Sequence, residues 1–480
     1  MSIYTVYNSA SSFSKLKASF TKRYYIRISH NTLMELKRNI TLFNAVMINL
    51  GAIIGAGIFV IIGIASFKAG PAIVISIILS SIIAIFTGLS FSEIARHVSK
   101  EGGVYEYAKS VLSPMPGFIG GWMWTFGNII GIAAVALSFG SYVNALTGLK
   151  LNPLFFAIIC ILSFMTLNVL GIKNSAKTIT GIVIVNLIIL MAFIFSGLSN
   201  FNSGNFVNFM PHGISGIITG TALIFFAFTG FSRVTTISDE IVNPEKTIPR
   251  AIILSIIISS VLYILVAVAL LGFKPYYDYS TSSSPLALAI KSLNDYYLTI
   301  LISIGGITAT AGVTLTGILG TSRVLFAMGR DDELPKKLSY IDKFSTPIIA
   351  ITVSAILGIL FLIFVSFGTI VEASNSAVLT SYIIINISAI VLYFKLRNNE
   401  KSNANLSKKP YFIIIPIMGI STIILIIFYI NVASLSITGV LLLLSFIYYI
   451  VRKYVIKING KRIPKHSEVR AFGLSRLRKL

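Results

Sequence analysis

Mostly apolar runs of 18 or more residues recur along this chain, separated by short polar stretches. About twelve such runs recur, each matching the roughly 20 helical residues that cross a hydrocarbon core of about 30 Å. They predict helices at 41–66, 70–95, 116–147, 153–171, 177–198, 213–240, 250–272, 295–328, 347–366, 369–394, 411–430 and 433–452. Pro-Met-Pro at 114–116, Asn-Pro at 152–153 and 243–244, and Thr-Pro at 346–347 fall between runs, where the missing proline N–H costs little. The pattern predicts an all-α integral membrane protein. Composition agrees: of 480 residues, 55% are apolar and only 11% charged.

The formal charge of +23 raises the question of a nucleic-acid partner. The basic residues do not form one patch. They concentrate in residues 1–40 and 451–480 and in alternate connections, at 96–109, 173–177, 246–250, 330–343 and 395–409. The intervening connections hold only Lys68, Lys150, Lys274 and Lys291. That is the positive-inside bias, so both termini are expected in the cytoplasm, the number of spans is expected to be even, and no nucleic-acid partner is expected. The basic tails suit anionic lipid headgroups. The expected organisation is a basic tail at 1–40, a core at 41–395 built of halves 41–198 and 213–394, a cytoplasmic connection at 396–410, two last spans at 411–452, and a basic tail at 453–480. The first apolar run follows some forty polar and basic residues, so it reads as a retained span in the plasma membrane.

One run carries an anomaly. Residues 49–60 read N-L-G-A-I-I-G-A-G-I-F-V, with Gly51, Gly55 and Gly57 inside the first predicted helix. A helix that gives up backbone bonds in lipid exposes groups costing several kcal/mol each unless protein or water satisfies them. A second candidate break, F-F-A-F-T-G-F-S at 225–232, lies five spans later, and that odd offset predicts two inverted repeats of five helices each. Taken singly, either stretch also fits a small-residue packing face. Paired, they suggest discontinuous helices whose exposed N–H groups at Ala56, Gly57 and Ile58 hold a carboxylate. The carbonyls of Ile53, Ile54, Phe226, Ala227 and Thr229 would then hold an ammonium. With Gly55, Phe228, Gly230, Phe231 and Ser232, these residues form the candidate substrate site for an amino acid.

Four blocks in order resemble the amino acid-polyamine-organocation permeases over about residues 40–395. They are G-A-I-I-G-A-G-I-F in the first span, F-S-E-I-A-R-H-V-S-K-E-G-G-V-Y-E-Y-A at 91–108, F-F-A-F-T-G-F-S-R-V-T-T-I-S-D-E-I-V-N-P-E-K-T-I-P-R-A-I at 225–252, and R-V-L-F-A-M-G-R-D-D-E-L-P-K-K-L at 323–338. The resemblance implies a secondary transporter with alternating access, a carboxylate held by the first span and an amine by the sixth. It also implies an aromatic gate at Phe231, a cytoplasmic-half role for Glu93 and a structural role for Arg323.

Three positions where relatives carry coupling charges are neutral here: Gly127, Asn186 and Ser232. Asn186 invites a sodium site completed by the Thr310 or Thr314 hydroxyls, since hard cations take oxygen ligands, or a plain interhelical bond. No cofactor is expected, and sodium coupling, proton coupling and ion-free exchange all stay open. Arg233 is costly at membrane depth and is a functional candidate by default. It is read either as partner to an acidic substrate side chain or as a bridge to Glu93 or Asp239. Side-chain selectivity is expected from Ile129, Ile132 and Ala133 with Thr229 and Ser232. An enzyme is not expected, because His30, His97, His212 and His466 are scattered and show no metal spacing. A lone Cys160 forbids an intrachain disulfide. Channel architecture finds no filter. An amino acid-sensing receptor, or a polyamine or amine exchanger of the same fold, remains as the alternative.

Overall fold

The computed structural model describes residues 38–458 apart from 150, 281, 283, 292, 365–366 and 398–410. The expected basic tails and the 396–410 connection lie almost wholly outside the described residues. Among those described there are no strands, only an isolated bridge between Ile40 and Ile241. Eight stretches are long and apolar enough to cross a membrane, one of them Leu42–His97, and three shorter apolar helices stand beside them.

The helices are α1 (Leu42–Ile53), α2 (Ile62–Ala69), α3 (Ile73–His97), α4 (Val104–Val111), α5 (Pro114–Thr147), α6 (Pro153–Val169), α7 (Ile172–Ser199), α8 (Gly213–Phe228), α9 (Pro244–Phe273), α10 (Pro285–Lys291), α11 (Tyr296–Arg330), α12 (Ile348–Phe364), α13 (Phe367–Arg397), α14 (Tyr411–Ile427) and α15 (Val432–Ile458). Local chemistry sets their ends. Proline opens α5, α6 and α9, where its missing N–H would lack an intrahelical partner anyway. The Asn152 side chain accepts the Leu154 N–H at 3.0 Å, and Asp295 accepts that of Leu298 at 2.9 Å. Gly148 ends α5 in the left-handed conformation.

The bundle centres on α5, which packs against α11 and α13, while α3 packs against α8 and α9. Met123, Trp124 and Ala133 of α5 are buried. Large apolar side chains turn outward instead on the peripheral helices, among them Ile188 and Phe195 of α7 and Leu443 and Ile450 of α15. A surface of that kind suits hydrocarbon and would be an aggregation hazard in water.

Both expected breaks are present, but they differ. After α1 the chain leaves the helical path at Ile54, which is extended at φ −77°, ψ 94°, and resumes as a wide π turn over Gly57–Ile61. In the second, α8 stops at Phe228 and the chain tightens rather than unwinds, running as a 3-10 helix over Thr229–Glu240. Twelve residues is far beyond the usual three or four for that geometry, and Ile237 interrupts it at φ −116°, ψ 26°.

Candidate functional site

The two irregular segments cross, and small residues let them touch. A methyl group on Gly57 would lie 2.2 Å from the Ala227 Cβ, and one on Gly230 would lie 2.4 Å from the Ala52 carbonyl carbon. Each break thus meets the helix preceding the other with backbone against backbone. Gly55 faces a third element: its Cβ would sit 2.1 Å from Cγ2 of Val313 in α11. Packing and site formation are therefore not rival readings of these glycines, because close approach is what brings the loosened backbones together.

The first bond of the resumed helix runs from the Phe59 N–H to the Gly55 carbonyl at 3.1 Å. The N–H groups of Ala56, Gly57 and Ile58 precede it, as the first-turn donors of any helix do. The carbonyl side holds a feature that sequence reading missed. Tyr263 of α9 donates its hydroxyl to the Ile53 carbonyl at 2.6 Å, with the Ala227 carbonyl 3.4 Å away. Tyr382 of α13 donates to the Thr229 carbonyl at 2.7 Å, and Tyr142 of α5 to that of Phe59 at 2.6 Å. The Phe226 carbonyl accepts the Thr229 hydroxyl at 2.8 Å. A carbonyl has two lone pairs, and that of Phe226 also accepts the Thr229 N–H, so it has none left for a further donor. The available signal was a tyrosine inside an apolar run, since a buried phenol needs an acceptor.

A cavity of about 30 Å³, measured to water centres, lies at the crossing. That is room for about two waters. Of the candidate substrate residues, Ile53, Ala56, Gly57, Phe226, Ala227 and Thr229 form its wall. Ile54, Gly55, Ile58, Phe228, Gly230, Phe231 and Ser232 do not line it. Ile132 does, whereas Ile129 and Ala133 do not. Ala52 of α1, Asn128, Gly131 and Val135 of α5, Val313 and Gly317 of α11 and Ser374 of α13 also line it without having been anticipated. Phe231 is buried away from the cavity, with its ring 5.8 Å from that of Phe91 and 5.3 Å from that of Tyr382. Ser232 belongs to a relay: Trp124 Nε1 donates to it at 3.2 Å, and its hydroxyl lies 2.9 Å from the Tyr382 oxygen. The Tyr382 proton is engaged at Thr229, so Ser232 donates in that pair.

Asn186 is buried and accepts a bond from Thr308 at 2.6 Å. Thr310 and Thr314 turn their hydroxyls to carbonyls of their own helix, at Gly306 and Thr310, rather than to Asn186. Among the described residues no group of three His, Cys, Asp or Glu is placed to hold a metal ion. Asn49, at the head of the glycine stretch, accepts the Val234 N–H at 3.0 Å and so ties α1 to the 3-10 segment.

The charged residues sort into two places. Arg233 lines the cavity, is buried, and donates Nη2 to the Asn128 Oδ1 at 2.8 Å with its guanidinium 5.0 Å from the Trp124 ring centre. Its Nε and Nη1 have no hydrogen-bond partner. The expected bridge from Arg233 to Glu93 or Asp239 does not form. Arg233 turns toward α5 and α11, while Glu93 lies 3.9 Å from Arg96 in α3 and Asp239 lies 3.7 Å from Arg330. Glu93 instead lines a separate cavity of about 60 Å³ with Arg96, between α3, α13 and α14.

The second place is at the helix ends. Arg323 is fully buried and donates Nε to Glu240 at 2.7 Å. Arg330 stands within 3.5–3.7 Å of Glu101, Glu106, Asp239 and Asp331, and Lys109 reaches Asp331 at 2.5 Å. Burial pushes the Glu101 and Glu106 carboxyls up, against the pull of the nearby cations. Burial works the same way on Asp331, yet Lys109 and Arg330 outweigh it and hold that carboxyl below its ordinary value.

Residues 44–467 match the amino acid permease family. The chain is 30% identical to the branched-chain amino acid permease BcaP of Bacillus subtilis, over 75% of this chain and 81% of that one. It is 29% identical to the methylthioribose transporter of the same bacterium, over 80% and 87%. It is 26% identical to cationic amino acid transporter 1 of Arabidopsis thaliana, over 74% and 63%. With a family match along most of its length and a 30% identical relative covered to 81%, the chain belongs to the amino acid permeases of the amino acid-polyamine-organocation superfamily.

Proposed function

We propose that the protein is a secondary carrier that moves an amino acid or related amine across the plasma membrane by alternating access. The observation that carries this reading is the crossing of two irregular helices at one cavity, which presents first-turn N–H groups on one side and tyrosine-held carbonyls on the other. The substrate carboxylate sits on the Ala56, Gly57 and Ile58 N–H groups, where the dipole end favours an anion. The ammonium takes the Ile53 carbonyl, with that of Thr229 beside it. Gly57 contributes by lacking a side chain that would hold the segments apart. The chain forms twelve spans, ten of them in two inverted repeats, with both termini in the cytoplasm. The names of the bacillar branched-chain and plant cationic relatives support an amino acid as cargo.

Counterflow in proteoliposomes tests it. Preloaded unlabelled amino acid is expected to draw in labelled amino acid saturably. Ligand-dependent thermal stabilisation without any flux would overturn the carrier reading in favour of a sensor. Repeating the assay with and without sodium, and at two pH values, distinguishes ion coupling from plain exchange.

A further inference from the structure

We infer that the Arg233 guanidinium receives a second anionic group on the transported molecule, so that the cavity takes glutamate or aspartate in preference to their amides or to an aliphatic amino acid. The inference rests on the carrier reading above and deepens it.

Arg233 shares the cavity wall with Ala56, Gly57 and Thr229, the proposed backbone ligands. Among the described residues Arg233 stands in no ion pair, and two of its nitrogens, like two of Arg323, are buried without a hydrogen-bond partner. A buried charge without a counter-charge is strongly unfavourable at membrane depth, so an arginine held there for structure alone is expected to keep a carboxylate. Arg323 in the same protein does keep one.

The surroundings of Arg233 orient it. Asn128 receives one nitrogen, and its own Nδ2 is fixed by the Trp124 carbonyl at 2.8 Å. The Trp124 ring supports the guanidinium, and Gly320 of α11 leaves the slot in which it lies, since a methyl there would fall 2.4 Å from the Arg233 Cδ. A planar donor group held this way matches a carboxylate.

Charge balance then selects among amino acids. A neutral zwitterion pairs its two charges with the backbone and leaves Arg233 uncompensated. A cationic side chain adds a second positive charge, while an acidic one neutralises the site.

The experiment is counterflow of labelled L-glutamate, L-aspartate, L-glutamine, L-asparagine and L-leucine by the full-length protein in proteoliposomes. Glutamate and aspartate are expected to exceed their amides by about tenfold or more, because a site built for a polar partner rejects the analogue that leaves it unpaired. Arg233→Gln is expected to erase the glutamate preference over glutamine, and Arg233→Lys to keep part of it. Exchange of leucine or glutamine at rates equal to or above glutamate in the unaltered protein overturns the proposal and leaves the carrier reading standing. So does a glutamate-to-glutamine ratio that Arg233→Gln does not change. Absence of exchange with every amino acid overturns the carrier reading and this proposal with it. Should Arg233→Gln not fold, the ratio in the unaltered protein and in Arg233→Lys decides.

Discussion

Two buried arginines teach different lessons. Arg323, about two turns before the end of α11, holds Glu240 at 2.7 Å near a cluster in which Arg330 and Lys109 face four carboxylates. Arg233, in the cavity, has an amide oxygen and an aromatic face instead. A paired buried ion holds segments in register: Glu240 ends the 3-10 segment and Arg323 belongs to α11, so their bond locks one to the other. An unpaired one stores the cost of desolvation until something neutralises it.

The hardest test of this contrast is Arg323→Ala. It strands Glu240 in a buried site, and the expected loss is about 3–5 kcal/mol, read as a collapsed melting temperature in detergent. Replacing Arg323 and Glu240 together by apolar residues is expected to recover most of it. Retained stability in the single variant would erase the distinction between the two arginines.

Gly57→Val comes next. The side chain meets Ala227, and overpacking costs about 1–3 kcal/mol, with ligand-induced stabilisation expected to vanish while membrane insertion persists. Tyr263→Phe leaves the Ile53 carbonyl without its donor, worth about 1 kcal/mol, and weaker substrate binding checks whether the phenol holds that carbonyl in place. Asn186→Ala removes the bond to Thr308, with a loss of about 0.6 kcal/mol and no change in the sodium response of uptake; a changed sodium response would make Asn186 more than a helix tie.

The smallest effect is a slope with pH. Glu101, raised on folding by burial, binds its proton more tightly in the native state. Its contribution is complete below the ordinary carboxylate range and is lost as pH rises through its folded value. Asp331 runs the other way: its contribution is present above the ordinary value and lost as pH falls through the lowered one. Glu101→Gln is expected to flatten the alkaline decline in melting temperature and spare the acid one. Parallel profiles would show that Glu101 does not set the slope.

Much of the architecture was legible because a membrane helix declares itself by length and hydropathy. The first break was legible at Ile54 and Gly55 because glycines stand where lipid forbids loose backbone. The second was found at Thr229, but not its form, since nothing in T-G-F-S-R-V-T-T-I-S distinguishes an unwound chain from a tight 3-10 helix. Half the cavity wall was missed for a geometric reason. Asn128 and Ser374 are remote in sequence from either break, and only the crossing brings α5 and α13 to it. Phe231, where the resemblance implies a gate, was not placed by the sequence at all: its ring packs against Phe91, away from the cavity wall. The separation between Arg233 and Glu93 was equally hidden, because two charges in neighbouring helices say nothing about which faces they occupy.

The contacts of Gly57 on Ala227 and of Gly230 on Ala52 have a mechanical consequence. Two chains touching backbone to backbone have no flexible side chain between them to absorb sliding, so the crossing acts as a riveted joint. Displacement of one segment drags the other with it, and compliance is left to the places where helical dihedrals lapse, at Ile54 on one side and Ile237 on the other. A spacer of even one methyl at the joint would turn a rigid lever into two loose ones.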